Sequence, residues 1–204
     1  MQKPYLVGIA GGSASGKTYL LNSLMDHFEA SEICLISQDH YYKPMHTQLV
    51  DENGHINFDL PDGIERKNLY TDIISLLAGE TIKKQEYTFN VPKDNPEILC
   101  IKPAPIIVIE GLFIFYYKEL FDLFDYKVFV DADHDIKLNR RLMRDQVERG
   151  YTEDMILYQW YNHVMPAYDA YLLPYKPYCE FVIHNNDDIS NEINILSNYL
   201  RHKI

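Results

Sequence analysis

Cysteine is scarce in this chain of 204 residues, with only Cys34, Cys100 and Cys179. The count is odd and no C-x-x-C pattern joins them, which argues against a disulfide framework and a structural zinc site. Cys34 stands in an apolar run and reads as a small core residue. The eight histidines form neither H-x-x-x-H nor H-E-x-x-H, so none is assigned to a metal. Positive charge is short too: 19 lysines and arginines face 30 aspartates and glutamates, a formal net charge of −11. That balance argues against general nucleic-acid binding. No apolar run approaches transmembrane length, so no membrane association is expected. Met1-Gln2-Lys3-Pro4 leads straight into a strand-like segment; the expectation is a soluble cytoplasmic protein without a signal peptide. The sequence contains no repeat, no low-complexity tract and no linker long enough to hold independent domains apart.

What is present is a globular composition, 47% apolar, at a length that suits one domain with a full core. Residues 11–18 read Gly-Gly-Ser-Ala-Ser-Gly-Lys-Thr and fit G-x-x-x-x-G-K-[ST], a phosphate-binding loop. The apolar run Tyr5–Ala10 precedes it as a strand. Leu20, Leu21, Leu24, Met25 and Phe28 follow at helical spacing. A nucleoside triphosphate with Mg²⁺ is the ligand class this implies. Gly11, Gly12 and Gly16 are expected to take positive φ and to approach a ligand closely. Backbone N–H groups of Gly11, Gly12, Ser13, Ala14, Ser15 and Gly16 would then meet phosphate oxygens. Lys17 supplies a point charge for the β- and γ-phosphates, and Thr18 a hydroxyl for Mg²⁺. An acidic chain must concentrate positive charge locally to hold such an anion.

Strand-like runs at 5–10, 33–37, 106–110, 126–130 and 181–184 alternate with helical patterns near 17–29, 64–78, 113–123, 134–149, 153–173 and 189–201. Alternation of this kind implies a mostly parallel sheet with helices on both faces, and ligands at the carboxyl ends of its strands. Residues 80–101 interrupt it with two short alternating runs around a turn-rich stretch, which reads as an inserted β-hairpin.

Two acids stand at predicted strand ends. Glu110 closes Ile106–Ile109, where an acid can hold Mg²⁺ or its waters. Asp39, in Ser37-Gln38-Asp39-His40-Tyr41-Tyr42, can accept the proton of an attacking hydroxyl or help place the metal; an Asx turn leaving a strand fits the same fragment. Lys137, Arg140, Arg141, Arg144 and Arg149 form a second basic cluster, with Lys137, Arg141 and Arg144 on one helical face. Asp133, Asp135, Asp145 and Glu148 can pair with them in a solvated helix. In a phosphoryl-transfer protein the arginines instead neutralise charge on the transferred group, and Gly150 gives the helix a flexible end. Tyr158, Tyr161, Tyr168, Tyr171, Tyr175 and Tyr178 are expected to pack with their hydroxyls at the surface. Tyr87 and Phe89, on the hairpin, can stack on a planar base.

In order along the chain, Gly11–Thr18, Asp39-His40-Tyr41-Tyr42, Asn57-Phe58-Asp59-Leu60-Pro61-Asp62, Tyr87-Thr88-Phe89, Ile109-Glu110-Gly111, Val130-Asp131, Arg140–Asp145 and Glu148-Arg149-Gly150 resemble the uridine–cytidine kinase family of P-loop kinases. The resemblance implies a P-loop NTPase-type three-layer α/β fold with a five-stranded parallel sheet, helices on both faces and a β-hairpin arm. It implies a single P-loop kinase domain over 1–204, with the hairpin at about 80–101 and a helical lid at about 134–165. By this resemblance Asp39 is the general base for the sugar 5′-hydroxyl, and Thr18, Asp39 and Glu110 surround Mg²⁺. Asp59 binds the ribose diol. Tyr42 and Phe58 wall the nucleoside pocket, and Tyr87 and Phe89 contact the base. Arg141, Arg144 and Arg149 embrace phosphates and sugar, beside Gln159. Lys17, Asp39 and Arg144 form the catalytic set. A homo-oligomer, tetramer or dimer, is implied as well.

The chain departs from the family pattern at three places. Pro92 stands where a base-reading histidine is usual, Thr88 replaces an acid between the hairpin aromatics, and Tyr151 replaces a lid arginine. The expected activity is ATP- or GTP-dependent phosphorylation of uridine or cytidine at the 5′-hydroxyl. The alternatives are a kinase for another nucleoside or small alcohol, and a non-catalytic nucleotide-binding regulator.

Overall fold

The computed structural model describes residues 3–88 and 96–204. Its strands are β1 (Tyr5–Gly11), β2 (Ile33–Ser37), β3 (Ile82–Gln85), β4 (Ile98–Ile101), β5 (Ile106–Gly111), β6 (Tyr126–Asp131) and β7 (Phe181–His184). Its α-helices are α1 (Lys17–Met25), α2 (Arg66–Leu77), α3 (Lys118–Phe121), α4 (His134–Arg149), α5 (Glu153–Gln159), α6 (Met165–Ala167) and α7 (Ser190–Arg201). Five strands form one parallel sheet in the order β2-β5-β1-β6-β7. β3 and β4 pair antiparallel as a separate hairpin.

Side-chain alternation explains the three layers. Along β1, Leu6 and Ala10 face one core while Val7 and Ile9 face the other. β5 divides the same way: Ile107 and Ile109 join the first core, Ile106 and Val108 the second. Leu69, Ile73 and Leu76 of α2 cover the first face. Leu20, Leu21 and Leu24 of α1 and Ile193, Leu196 and Leu200 of α7 cover the second. Each aliphatic side chain so buried contributes about 1.5–3 kcal/mol. Strands with both faces covered read as unbroken apolar runs, which is why they stand out in the sequence.

Two helical expectations differ from the structure. Over 113–123 only Lys118–Phe121 is α-helical. Phe113, Ile114 and Phe115 are all buried, and three consecutive buried residues cannot share one face of a surface helix. Over 153–173 the helical path changes pitch: α5 runs into a π-turn at Trp160–Val164, the short α6, and another π-turn at Tyr168–Leu172. Pro166 lies between the two π-turns, where its missing N–H leaves a gap in the i→i−4 ladder.

Candidate active site

β1 delivers the chain into the loop at Gly11, and α1 begins at Lys17. Of the three loop glycines, only Gly16 has positive φ, at 94°; within the loop Ala14 is also left-handed, at 59°. Gly11 serves a different need. A Cβ there would lie 2.2 Å from the Val130 carbonyl oxygen on the neighbouring strand. The expectation of positive φ at Gly11 and Gly12 is therefore corrected: Gly11 is set by close approach. Ser15 Oγ is buried and has no hydrogen-bond partner among the described residues. A buried hydroxyl left unpaired is costly, and a phosphate oxygen would satisfy it. Lys17 Nζ donates to the carbonyls of Gly11 at 2.8 Å and Gly12 at 3.4 Å. Burial lowers the Lys17 pKa, while Glu110 and Asp39 favour its charged form. Thr18 is exposed beside it.

The strand-end acids converge because β2 and β5 are neighbours, with Ser37 in register with Glu110. The Ser37 hydroxyl donates to Glu110 and accepts from the Asp39 amide at 3.2 Å. Asp39 thus leaves β2 in a turn capped by the Ser37 hydroxyl, a serine cap and not an Asx turn, and Asp39 borders the cavity. Burial pushes the Glu110 carboxyl up to about 7; Asp39 adds to the rise, and Lys17 and the Ser37 hydroxyl oppose it. A carboxylate held this way gains from any cation brought to it.

A cavity of about 350 Å³ extends from the loop past these acids. Its far side carries Tyr42, Phe58 and Asp59. The Tyr42 ring meets Phe58 edge-on at 6.0 Å and Tyr87 at 5.4 Å, so three aromatics from distant segments form one group. The Tyr87 amide donates to His40 Nδ1 at 3.1 Å. Phe89 and Pro92 lie outside the described residues. Burial raises the Asp59 pKa, against the pull of Arg141, His163 and Arg149.

α4 and α5 close the remaining side. Arg141 donates to Ser13 Oγ at 2.8 Å and to Gln159 Oε1 at 2.9 Å, joining the loop to α5. Arg140, Arg144, Arg149 and Tyr151 also line the cavity. Lys137 does not: it is buried against Asp131 at 2.9 Å, with Lys176 and the Tyr168 hydroxyl on the other carboxylate oxygen, each at 2.8 Å. Tyr168 is thus buried, contrary to the expectation that its hydroxyl reaches the surface.

Every expected site residue from Ser13 to Thr18, with Asp39, Tyr42, Phe58, Asp59, Glu110, Arg141, Arg144, Arg149 and Gln159, lines this one cavity; Gly11 and Gly12 are not among its described lining residues. The sequence reading undervalued Asp145. It is fully buried, and its oxygens lie 2.8 Å from Arg144 Nε, 3.3 Å from Arg141 Nε and 3.4 Å from Arg149 Nε. Its i,i+4 spacing to Arg141 and Arg149 was visible, but that pattern also fits a solvated face. His163, buried at the cavity wall, had no local signal at all.

Comparison with known proteins agrees with this geometry. The family model described as "Phosphoribulokinase / Uridine kinase family" matches residues 6–190. A uridine kinase of Bacillus cereus is 36% identical over 181 residues, 89% of this chain and 85% of that protein. Uridine-cytidine kinase A of Dictyostelium discoideum is 33% identical over all 204 residues, and the chain spans only 40% of that relative's length. Among solved structures, a possible uridine kinase from Bacillus stearothermophilus superposes with a TM-score of 0.61 at 19% identity, covering 90% of each chain. Phosphoribulokinase from Rhodobacter spheroides gives 0.61 at 17% identity, over 88% of this chain and 69% of that one; both share the fold. With a phosphate loop, strand-end acids and helix-borne arginines around one cavity, and a family model matched from residue 6 to residue 190, the chain belongs to the phosphoribulokinase / uridine kinase family.

Proposed function

We propose that this protein is a nucleoside kinase that transfers the terminal phosphoryl group of ATP or GTP to the 5′-hydroxyl of uridine or cytidine. The observation that carries this reading is the joining, in one cavity, of the phosphate loop with an aromatic and carboxylate-bearing wall. Phosphates belong at Ser13–Thr18, where Ser15 Oγ awaits a partner. The nucleoside belongs between Tyr42 and Phe58, with its ribose diol on Asp59, whose two oxygens can accept from vicinal hydroxyls. Asp39 takes the 5′-hydroxyl proton as the new bond forms. Lys17, Arg141, Arg144 and Arg149 offset the charge on the transferred group. α4, α5 and the π-turn after them act as the lid over residues 134–165, excluding water as a competing acceptor. The whole chain works as one kinase domain.

Thr18, Asp39 and Glu110 suit Mg²⁺, since all three offer hard oxygen donors. Among the described residues there is no cluster of three or more His, Cys, Asp or Glu that could hold a metal. Bound at Thr18, Asp39 and Glu110, Mg²⁺ would neutralise charge between the β- and γ-phosphates.

A second acceptor is favoured by one observation: Tyr151 lines the cavity where the family pattern has an arginine. An ADP-release assay with ATP, Mg²⁺ and a panel of nucleosides and small alcohols separates the two. Turnover of uridine or cytidine above all other acceptors is expected. Rapid turnover of a different acceptor with none of either pyrimidine would overturn that choice.

A further inference from the structure

The cavity has a wall that the reaction above leaves unused. Between Leu49 and Asn57 the chain makes a small hairpin, with Val50 bridged to Ile56 and the Asn57 amide donating to the Leu49 carbonyl at 2.8 Å. Ile56 lines the cavity, and Phe58 and Asp59 follow at once. Burial does not hold this hairpin down. Leu49 and Val50 are 51% and 57% exposed, and residues 52–55 are exposed as well. A loop with so little buried apolar surface opens readily unless polar contacts tie it.

Asp51 supplies the tie. Its Oδ1 accepts from the amides of Asn53 at 2.9 Å and His55 at 2.8 Å, which closes the turn. Its Oδ2 accepts from the Tyr158 hydroxyl at 2.8 Å and lies 2.7 Å from His163 Nε2. Asn53 Nδ2 also donates to the Tyr158 hydroxyl at 2.7 Å, and the His55 ring lies 4.6 Å from the Tyr158 ring. One carboxylate thus joins the hairpin to the helical path that carries Gln159 and the buried His163. Both of those residues line the cavity beside Asp59. The partners lie 107 and 112 residues from Asp51 in sequence.

We propose that Asp51 is a positioning residue that latches the 49–57 hairpin to Tyr158 and His163, and that this latch shapes the acceptor-binding half of the cavity. The inference rests on the nucleoside-kinase reading of the site. The phosphate loop makes none of these contacts itself and meets α5 through Arg141 at Gln159, so the acceptor is expected to feel the latch more than the donor.

The test is steady-state kinetics of the wild type, Tyr158→Phe, His163→Leu and His163→Gln. Loss of one charge-assisted hydrogen bond predicts a rise in acceptor KM of about tenfold for Tyr158→Phe and His163→Leu, with donor KM within about twofold of wild type. His163→Gln, whose amide can still donate to Asp51, recovers part of the loss. An unchanged acceptor KM, or acceptor and donor KM rising together, overturns the proposal. If His163→Leu does not fold, Tyr158→Phe, which loses only a half-buried hydroxyl, carries the test. Hydrogen exchange of the ligand-free proteins separates this from the kinase reading. Faster exchange over 49–59 in Tyr158→Phe supports the latch even if no nucleoside is turned over; unchanged exchange there refutes it.

Discussion

Glu110 shows how a single residue trades stability for readiness. It accepts from the Ser37 hydroxyl within the fields of Lys17 and Asp39, and burial leads the rise of its carboxyl to about 7. A carboxyl raised above its unfolded value of about 4.3 keeps its proton in the fold while the unfolded chain loses it. Stability therefore falls as pH climbs from about 4 to about 7, then levels off. Glu110→Gln removes that loss. In the absence of nucleotide and Mg²⁺, the variant should be more stable than wild type by roughly 3–4 kcal/mol at pH 8 and equal to it near pH 4. Thermal denaturation at the two pH values checks this; equal stability at pH 8 would show the carboxyl to be unstrained. Glu110 stands out in the sequence because an acid closing an apolar strand has few structural reasons to be there, whereas Asp39, two residues past Ser37, fits an Asx turn as well. His163 does not stand out, because its neighbour Asp51 is 112 residues away and no local pattern joins them.

At the scale of elements, α4 is the helix whose sequence pattern was ambiguous. Arginines alternating with acids describe a solvated helix and a phosphate-facing helix equally well, and only burial separates them. Asp145 is inside and gathers Arg141, Arg144 and Arg149; Lys137, on the same predicted face, turns instead to Asp131. The main-chain amide of Tyr151 bonds back to the Asp145 carbonyl at 3.1 Å, and Gly150 ends the helix at φ 66°. Asp145→Asn keeps the shape and removes the charge. It should cost about 2 kcal/mol of stability and lower kcat about tenfold, because three guanidiniums lose the anion that sets their places. Thermal denaturation with steady-state turnover measures both; an unchanged kcat would mean the arginines are placed without it. The sheet strands were readable for the opposite reason, since β-branched runs covered on both faces have one interpretation. The stretch 113–123 misled because its apolar residues are buried consecutively and not at helical spacing.

At the scale of the whole molecule, a chain with net charge −11 gathers Lys17, Arg140, Arg141, Arg144 and Arg149 around one cavity. Distant acids repel an anionic donor weakly through solvent, while these near cations attract it strongly inside a cavity of low dielectric. The phosphate half of that cavity was legible because its motif is contiguous over residues 11–18. The other half is assembled from segments near 39–42, 56–59 and 159–163; within it the sequence points to Asp39 by itself, to Tyr42, Phe58, Asp59 and Gln159 through resemblance, and to His163 not at all. The central claim is that both halves serve one transfer, with Asp39 taking the proton. The most direct measurement is uridine or cytidine turnover by Asp39→Asn beside wild type, with ATP binding followed in the same samples. Loss of about a hundredfold or more in kcat with ATP affinity retained is the predicted result. Near-normal turnover by the variant would contradict the account.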